Sequence, residues 1–276
     1  MDETLTPETL TAEIEHFTEG AVLCFDKPLT WTSFKLVNDV RYSLCRGLHI
    51  KKLKVGHAGT LDPLATGVMI VCTGRATKRI EELQAGTKEY VATLCFGATT
   101  PSFDMEKPID RTYDASFLTR ELVEETLKRF VGRIEQVPPA FSACKVQGKK
   151  AYELARTGEK VELKAKILVI DSIELLEYTP ADSAKPESRP SAVIRVVCSK
   201  GTYIRALARD IGEALGCGAY LTALRRTRVG DVRLEDCLDI VAFRRQYLGD
   251  ESAAAATRPA KENARKKRTI QIHPTL

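Results

Sequence analysis

Between residues 56 and 68 the chain reads GHAGTLDPLATGV, and this run limits the fold more than any other. Its three glycines and Pro63 leave room for a helix of no more than about one turn. VMIVCTG (68–74) follows at once, an apolar run of strand length. Asp62 therefore stands on a constrained loop that leads into a buried strand, and Pro63 biases it away from the α region. The residues alone leave two readings open. Asp62 is either a helix N-cap with proline at the first helical position, or a carboxylate displayed for function on a loop.

The surrounding pattern mixes strands and helices. AVLCFDKP reads as a strand ending in a turn, and TSFKLVNDVRYSL as a helix capped by Thr32 or Ser33, with Phe34, Leu36, Val37, Val40 and Leu44 at helical spacing. EYVATLCFG (89–97), KILVIDSIELLEY and SAVIRVVCS read as strands, the last two joined by a Pro- and Ser-rich surface loop. Helices are expected over RATKRIEELQAG, over 119–132 with Thr119 as cap and Gly132 as stop, over 148–158, and over 202–216 with Thr202 as cap. Strands and helices do not alternate regularly, which predicts an α+β fold with a mixed, largely antiparallel central sheet rather than a doubly wound one. The expected organisation is an acidic extension over 1–20, one domain over 21–240, and a basic, flexible tail over 241–276.

Charge points to a partner. The first 20 residues hold six acids and no Lys or Arg, leaving 42 basic against 31 acidic groups in the rest of the chain. A body that basic suits a polyanion, nucleic acid first. The eight cysteines are scattered without a C-x-x-C pair, as reduced cytosolic thiols are, and the four histidines show no metal-ligand spacing. No apolar run approaches a membrane span and no signal peptide is visible, so the expected location is the cytoplasm.

Two further segments bear on Asp62. In GTKEYVATLCFG, Tyr90 opens a strand beside two charged residues. In CSKGTYIRALARDIGEALG, Arg205 falls in the first turn of a helix, where a cation opposes the helix dipole unless an anion answers it. An Asp on a Gly-rich loop would answer it.

GHAGTLDPLATGV, KEY, QVPPAFSACKVQGKKAYELARTG and SKGTYIRALARDIGEALG, in this order, resemble the TruB-type tRNA pseudouridine-55 synthases over about residues 23–236. The resemblance implies the pseudouridine synthase fold and conversion of uridine to pseudouridine at position 55, in the T loop of tRNA. It implies Asp62 as nucleophile, Tyr90 as the aromatic that stacks on the target base, and Arg205 as the ion-pair partner of Asp62. His57, Leu224, Asp104, Lys200 and Tyr203 are implied as substrate-binding residues. The chain departs from the family at Thr30, where glycine is usual, and at Phe141, where tyrosine is usual. A PUA domain is not expected, and the implied working unit is a monomer with tRNA as its partner and no obligate protein partner.

The chemistry suits these residues. Moving C1′ of the ribose from N1 to C5 of the same base oxidises nothing and imports no group, so neither cofactor nor metal is expected. It needs a nucleophile ionised at neutral pH, which an Asp beside an Arg supplies. A glycoside hydrolase would instead want two carboxylates and a water. The target base must leave its stack, hence an aromatic and apolar pocket, with Lys51, Lys52, Lys54 and the arginines within 225–228 as candidates for phosphate contacts. Two rival readings are a non-catalytic RNA-binding or tRNA-folding module and a pseudouridine synthase acting on another RNA.

Overall fold

The computed structural model describes residues 7–142, 144–146, 149–150, 163–185 and 187–249. Helix α1 (Pro7–Glu19) precedes β1 (Val22–Lys27), α2 (Ser33–Gly47), β2 (Val55–His57) and β3 (Ala65–Thr73). A 3-10 turn (Gly74–Arg79) runs into α3 (Ile80–Ala85), then β4 (Lys88–Phe96) and the short pair β5 (Ala98–Thr99) and β6 (Arg111–Thr112). Next come α4 (Arg120–Lys128), β7 (Gly132–Gln136), the short strands β8 (Lys145–Val146) and β9 (Lys149–Lys150), β10 (Lys166–Thr179) and β11 (Ser191–Cys198). The chain continues through α5 (Ile204–Ala214), β12 (Ala219–Val229), β13 (Val232–Arg233) and α6 (Ile240–Leu248).

Among the described residues one nine-stranded sheet dominates, in the order β1-β3-β12-β4-β11-β10-β7, with β2 beside β3 and β13 beside β12. Its strand pairs are antiparallel except β12 against β3, so the sheet is mixed and largely antiparallel, as the irregular strand–helix alternation predicts. That parallel seam explains Gly67. Its φ is +105°, and a Cβ there would lie 2.1 Å from the Arg226 carbonyl oxygen, so only glycine lets the two backbones approach.

Two apolar cores flank the seam. On one side Leu207 and Ile211 of α5 and Val123 and Leu127 of α4 pack on β4, β10 and β11. On the other, Leu36, Val40 and Leu44 of α2, Phe17 of α1, and Ile240 and Phe243 of α6 pack with Phe25 of β1 and Met69 and Val71 of β3. Of the two terminal segments, the described residues 7–20 and 241–249 pack on this body. The boundary expected at residue 240 coincides with the start of α6, whose Arg244 meets Asp39 of α2 at 2.5 Å. The acidic segment folds as α1, with Phe17 buried, because its apolar stripe has a core to meet.

Other expectations shift locally. Thr32 caps α2 and Thr119 caps α4, each accepting a backbone N–H three residues on. Phe34 is exposed, so the buried face of α2 begins at Leu36. Helix α4 ends at Lys128, and Gly132, with φ +97°, instead opens β7. Helix α5 begins one residue later than expected, with Tyr203 at the cap position and no side-chain cap, since the Thr202 hydroxyl donates to the Ser199 carbonyl. The helix expected over 148–158 falls outside the described residues except at Lys149–Lys150, which pair with β8. All eight cysteines are free thiols, and no described helix is long and apolar enough to cross a membrane.

Candidate active site

At the parallel seam the chain leaves a cavity of about 550 Å³, a size at which small ligands are held. The Asp62 loop forms one wall and the start of α5 another, with β4 and β12 between them.

The loop resolves the choice left open for Asp62. The Ala65 N–H donates to the Asp62 carbonyl at 3.1 Å, so Asp62 and Pro63 open a β-turn and no helix follows. Four neighbours grip this backbone. Ser33 Oγ donates to the Leu61 carbonyl and accepts the Leu61 N–H, both at 2.9 Å. The Thr30 N–H donates to the Pro63 carbonyl at 2.8 Å. Lys27, fully buried, donates from Nζ to the carbonyls of Trp31 (2.6 Å), Pro28 (2.9 Å) and, at longer range, Pro63 (3.5 Å). Arg226, 2% exposed, donates to the carbonyls of Gly59 (3.2 Å) and Val68 (2.8 Å), stapling the loop at both ends.

Arg205 faces this loop from the second residue of α5. Its side chain is 4% exposed and its donors are satisfied. Nε donates to Asp62 Oδ2 at 2.8 Å, Nη1 to the Ser102 carbonyl at 3.0 Å and Nη2 to the Phe141 carbonyl at 2.9 Å. Asp62 keeps 37% of its side chain exposed within the cavity wall, so a dry cation holds a carboxylate that a ligand can still reach. Asp104 stands behind the pair, 7% exposed, with Oδ2 3.7 Å from Arg205 Nε and Oδ1 accepting the Glu106 N–H.

Tyr90, Leu224, Lys200 and Tyr203 line the same cavity. The sheet register accounts for two of them: Arg226 of β12 lies opposite Tyr90 of β4, and Leu224 opposite Ala92 and Ala65. Burial pushes the Tyr90 phenol upward, partly opposed by the Arg226 guanidinium. The Tyr203 phenol is raised as well, by burial and by Cys144, whose Sγ lies 3.3 Å from its hydroxyl. Lys88, also in the wall, is brought down to about 8 by burial, then by Arg226 and Lys200. His57 and Asp104 are not among the lining residues. His57 lies on β2 with Nδ1 buried, and burial lowers its pKa against the opposing effect of the Gly59 backbone.

The arginines expected to hold phosphates are largely committed elsewhere. Arg225 binds Asp26 at 2.7 Å, Arg226 is buried, and Arg228 lies between Gly230 and Glu89. The alternation of a strand separates the first two: residues 225 and 226 point to opposite faces of the sheet, Arg226 into the buried one and Arg225 to a partly exposed one beside Asp26. Lys51, Lys52 and Lys54 remain exposed. Among the described residues no group of three or more His, Cys, Asp or Glu side chains is placed to hold a metal ion.

Comparison with known proteins agrees with this geometry. Residues 46–204 match the TruB family pseudouridylate synthase (N terminal domain) model, and residues 205–260 match that of the tRNA pseudouridylate synthase B C-terminal domain. The chain is 70% identical over 228 residues to the tRNA pseudouridine synthase B of Phocaeicola vulgatus, covering 83% of this chain and 93% of that protein. It is 72% identical over 229 residues to the tRNA pseudouridine synthase B of Bacteroides thetaiotaomicron, with the same coverage. Among solved structures, the archaeal box H/ACA sRNP Nop10-Cbf5 complex contains a chain that is 27% identical with a TM-score of 0.57; the match spans 86% of this chain and 56% of that one.

Proposed function

This chain belongs to the TruB family of pseudouridylate synthases, and from that premise we propose that it isomerises uridine to pseudouridine at position 55, in the T loop of tRNA, with Asp62 as the nucleophile. The observation that carries the reading is the 2.8 Å pair of a buried Arg205 and a cavity-facing Asp62. Arg205 pairs with the carboxylate and fixes its direction, which a nucleophile needs before the base arrives.

In this scheme the target uridine flips into the cavity, where Tyr90 stacks on it and Leu224 closes one apolar side. Asp62 acts at the nucleoside, the C1′–N1 bond breaks, the retained base turns, and C1′ joins C5; C5 then gives its proton to solvent and N1 takes one up, so that the product is an isomer. Lys200 and Tyr203, at the same wall, contact the flipped nucleotide. Asp104 acts through Arg205, sharing its positive charge with Asp62. His57, beside the loop, supports the nucleotide's neighbourhood from β2. Exposed Lys51, Lys52 and Lys54 meet phosphates of the T arm. The scheme draws on residues of one chain, and the reading takes a monomer with tRNA as its partner. The tRNA reading stands ahead of another RNA substrate because the 70% identical relatives carry tRNA in their names, whereas the box H/ACA likeness is at 27%.

Purified protein incubated with unmodified tRNA transcript tritiated at uridine C5, with EDTA and no added cofactor, is expected to release tritium from the T-loop uridine alone. Asp62→Asn, nearly isosteric, is expected to release none while still binding tRNA in a gel shift. Substantial release by that variant would sink the assignment of Asp62. Binding without release by the wild type would favour an RNA-binding module.

A further inference from the structure

Gln136 ends β7, is 1% exposed, and grips both backbone polar groups of Tyr203. Its Oε1 accepts the Tyr203 N–H at 2.9 Å, and its Nε2 donates to the Tyr203 carbonyl at 3.2 Å. Tyr203 is the cap position of α5, where no side chain of the helix itself serves as cap. The segment after Gln136 continues the contact. The Val137 carbonyl accepts from Arg209 Nη2 at 3.1 Å and the Phe141 carbonyl from Arg205 Nη2 at 2.9 Å. Residues 136–141 thus run as a splint beside the first turns of α5, and Gln136 is the part of it that acts on backbone.

We infer that Gln136 is a positioning residue for the Asp62–Arg205 pair, an inference that rests on the catalytic reading of that pair given above. The start of α5 carries Tyr203, Ile204 and Arg205 into the cavity wall together. With its own cap missing, the backbone at Tyr203 is set by the Gln136 amide. That side chain offers a donor and an acceptor on one rigid plane, as a paired strand would; only Asn shares this chemistry, and it is one carbon shorter. A tilt of the first turn would swing Arg205 off Asp62 without disturbing the apolar contacts further along the helix.

Gln136→Met keeps length and apolar volume and removes both bonds. In the tritium-release assay kcat is expected to fall about 100-fold, the scale of a misplacement near 1 Å, while KM and tRNA affinity stay close to wild type. The fall should persist when turnover is counted per folded molecule, with KM unmoved. A residue that only stabilised the fold would lower the folded fraction and leave kcat per folded molecule in place.

Gln136→Glu provides an independent readout if the methionine variant does not fold. The introduced carboxylate accepts from the Tyr203 N–H but sets an oxygen against the Tyr203 carbonyl. On acidification it gains an O–H that donates to that carbonyl, so activity relative to wild type should rise as pH falls. A kcat per folded molecule that matches the wild type in Gln136→Met, or a relative activity of Gln136→Glu that does not rise on acidification, overturns the inference. Asp62→Asn is assayed alongside: turnover by that variant would overturn the reading of the pair, whereas an inert Asp62→Asn with unaffected Gln136 variants overturns the role of Gln136 alone.

Discussion

The loop that carries Asp62 and the helix that carries Arg205 meet at 2.8 Å, but they are held in place by different forces. Helix α5 buries Ile204, Ala206, Leu207, Ala208 and Ile211 in the larger core, so most of its position follows from apolar area removed from water. The loop from 59 to 64 has little core of its own. Its place is set by polar clamps on backbone groups: Ser33 on Leu61, Thr30 and Lys27 on Pro63, Arg226 on Gly59. Hydrophobic contacts are additive and forgiving in direction, whereas each clamp fixes one atom. The helix should therefore lose stability before geometry, and the loop geometry before stability.

The largest effect expected tests the helix side. Leu207 is fully buried, and Leu207→Ala should lower unfolding stability by about 2–5 kcal/mol. Tritium release per folded molecule should nonetheless stay near wild type, because the backbone at Tyr203 and the Arg205 contacts are untouched. Denaturant melts together with active-site titration would check this; a parallel fall in turnover would erase the contrast.

Lys27→Met is the matching test of the loop. It strips the donor from the Trp31 and Pro28 carbonyls and loosens Pro63, next to the Asp62 carboxylate. Turnover should drop by about 100-fold through misplacement. Stability should change less than in Leu207→Ala, since the cost of burying the charge is removed along with its hydrogen bonds. The same lysine gives a pH signature. Burial lowers it from 10.5 to about 8, so in the folded state the proton is lost first. Below about pH 8 the buried charge costs its full amount; between about 8 and 10.5 the unfolded chain binds more protons, and stability rises with pH. The stability of wild type minus that of Lys27→Met should climb through this window, a difference that cancels the similar contribution of Lys88. A flat difference in pH-dependent melts would mean that Lys27 is neutral or solvated.

How much of this was legible in the sequence follows the same division. The helices α2, α4 and α5 and the strands β1, β3, β4, β10 and β11 announced themselves through apolar spacing and caps, because the forces that fix them are local and periodic. Strand β12 did not: AYLTALRRTRV carries arginines where a central strand is expected to be apolar, and only the Gly59 and Val68 carbonyls make the burial of Arg226 tolerable, while Arg225 stays partly exposed beside Asp26. Helix α6 was read as tail because its burial depends on a groove formed by α1, α2 and β1. At the site, Asp62, Tyr90 and Arg205 stand out from the motifs, while Lys27, Arg226 and Gln136 do not, since each acts on backbone atoms far away in sequence. Lys27 did leave one sign, a lysine closing the strand VLCFDK just before Pro28. Alternation along LRR would likewise have put Leu224 and Arg226 on one face and Arg225 on the other, whereas the register shift between Arg226 and Arg228 breaks the pattern there.

The smallest effect expected concerns the turn behind the loop. Thr30 adopts φ +68°, a left-handed conformation that a β-branched residue takes only at a cost, while its N–H donates to the Pro63 carbonyl. The clamp thus fixes the Asp62 loop at the expense of strain in its own backbone, and this is also the position at which the resemblance to TruB-type sequences implies glycine. Thr30→Gly keeps the N–H and relieves the strain, though glycine loses more conformational entropy on folding. The net should be a gain of about 1 kcal/mol in stability, read in chemical denaturation, with turnover unchanged. If the variant is more stable but slower, the strain itself is part of what aims Asp62. The loop would then be held by stored strain as well as by hydrogen bonds, and the contrast with α5 would be sharper still.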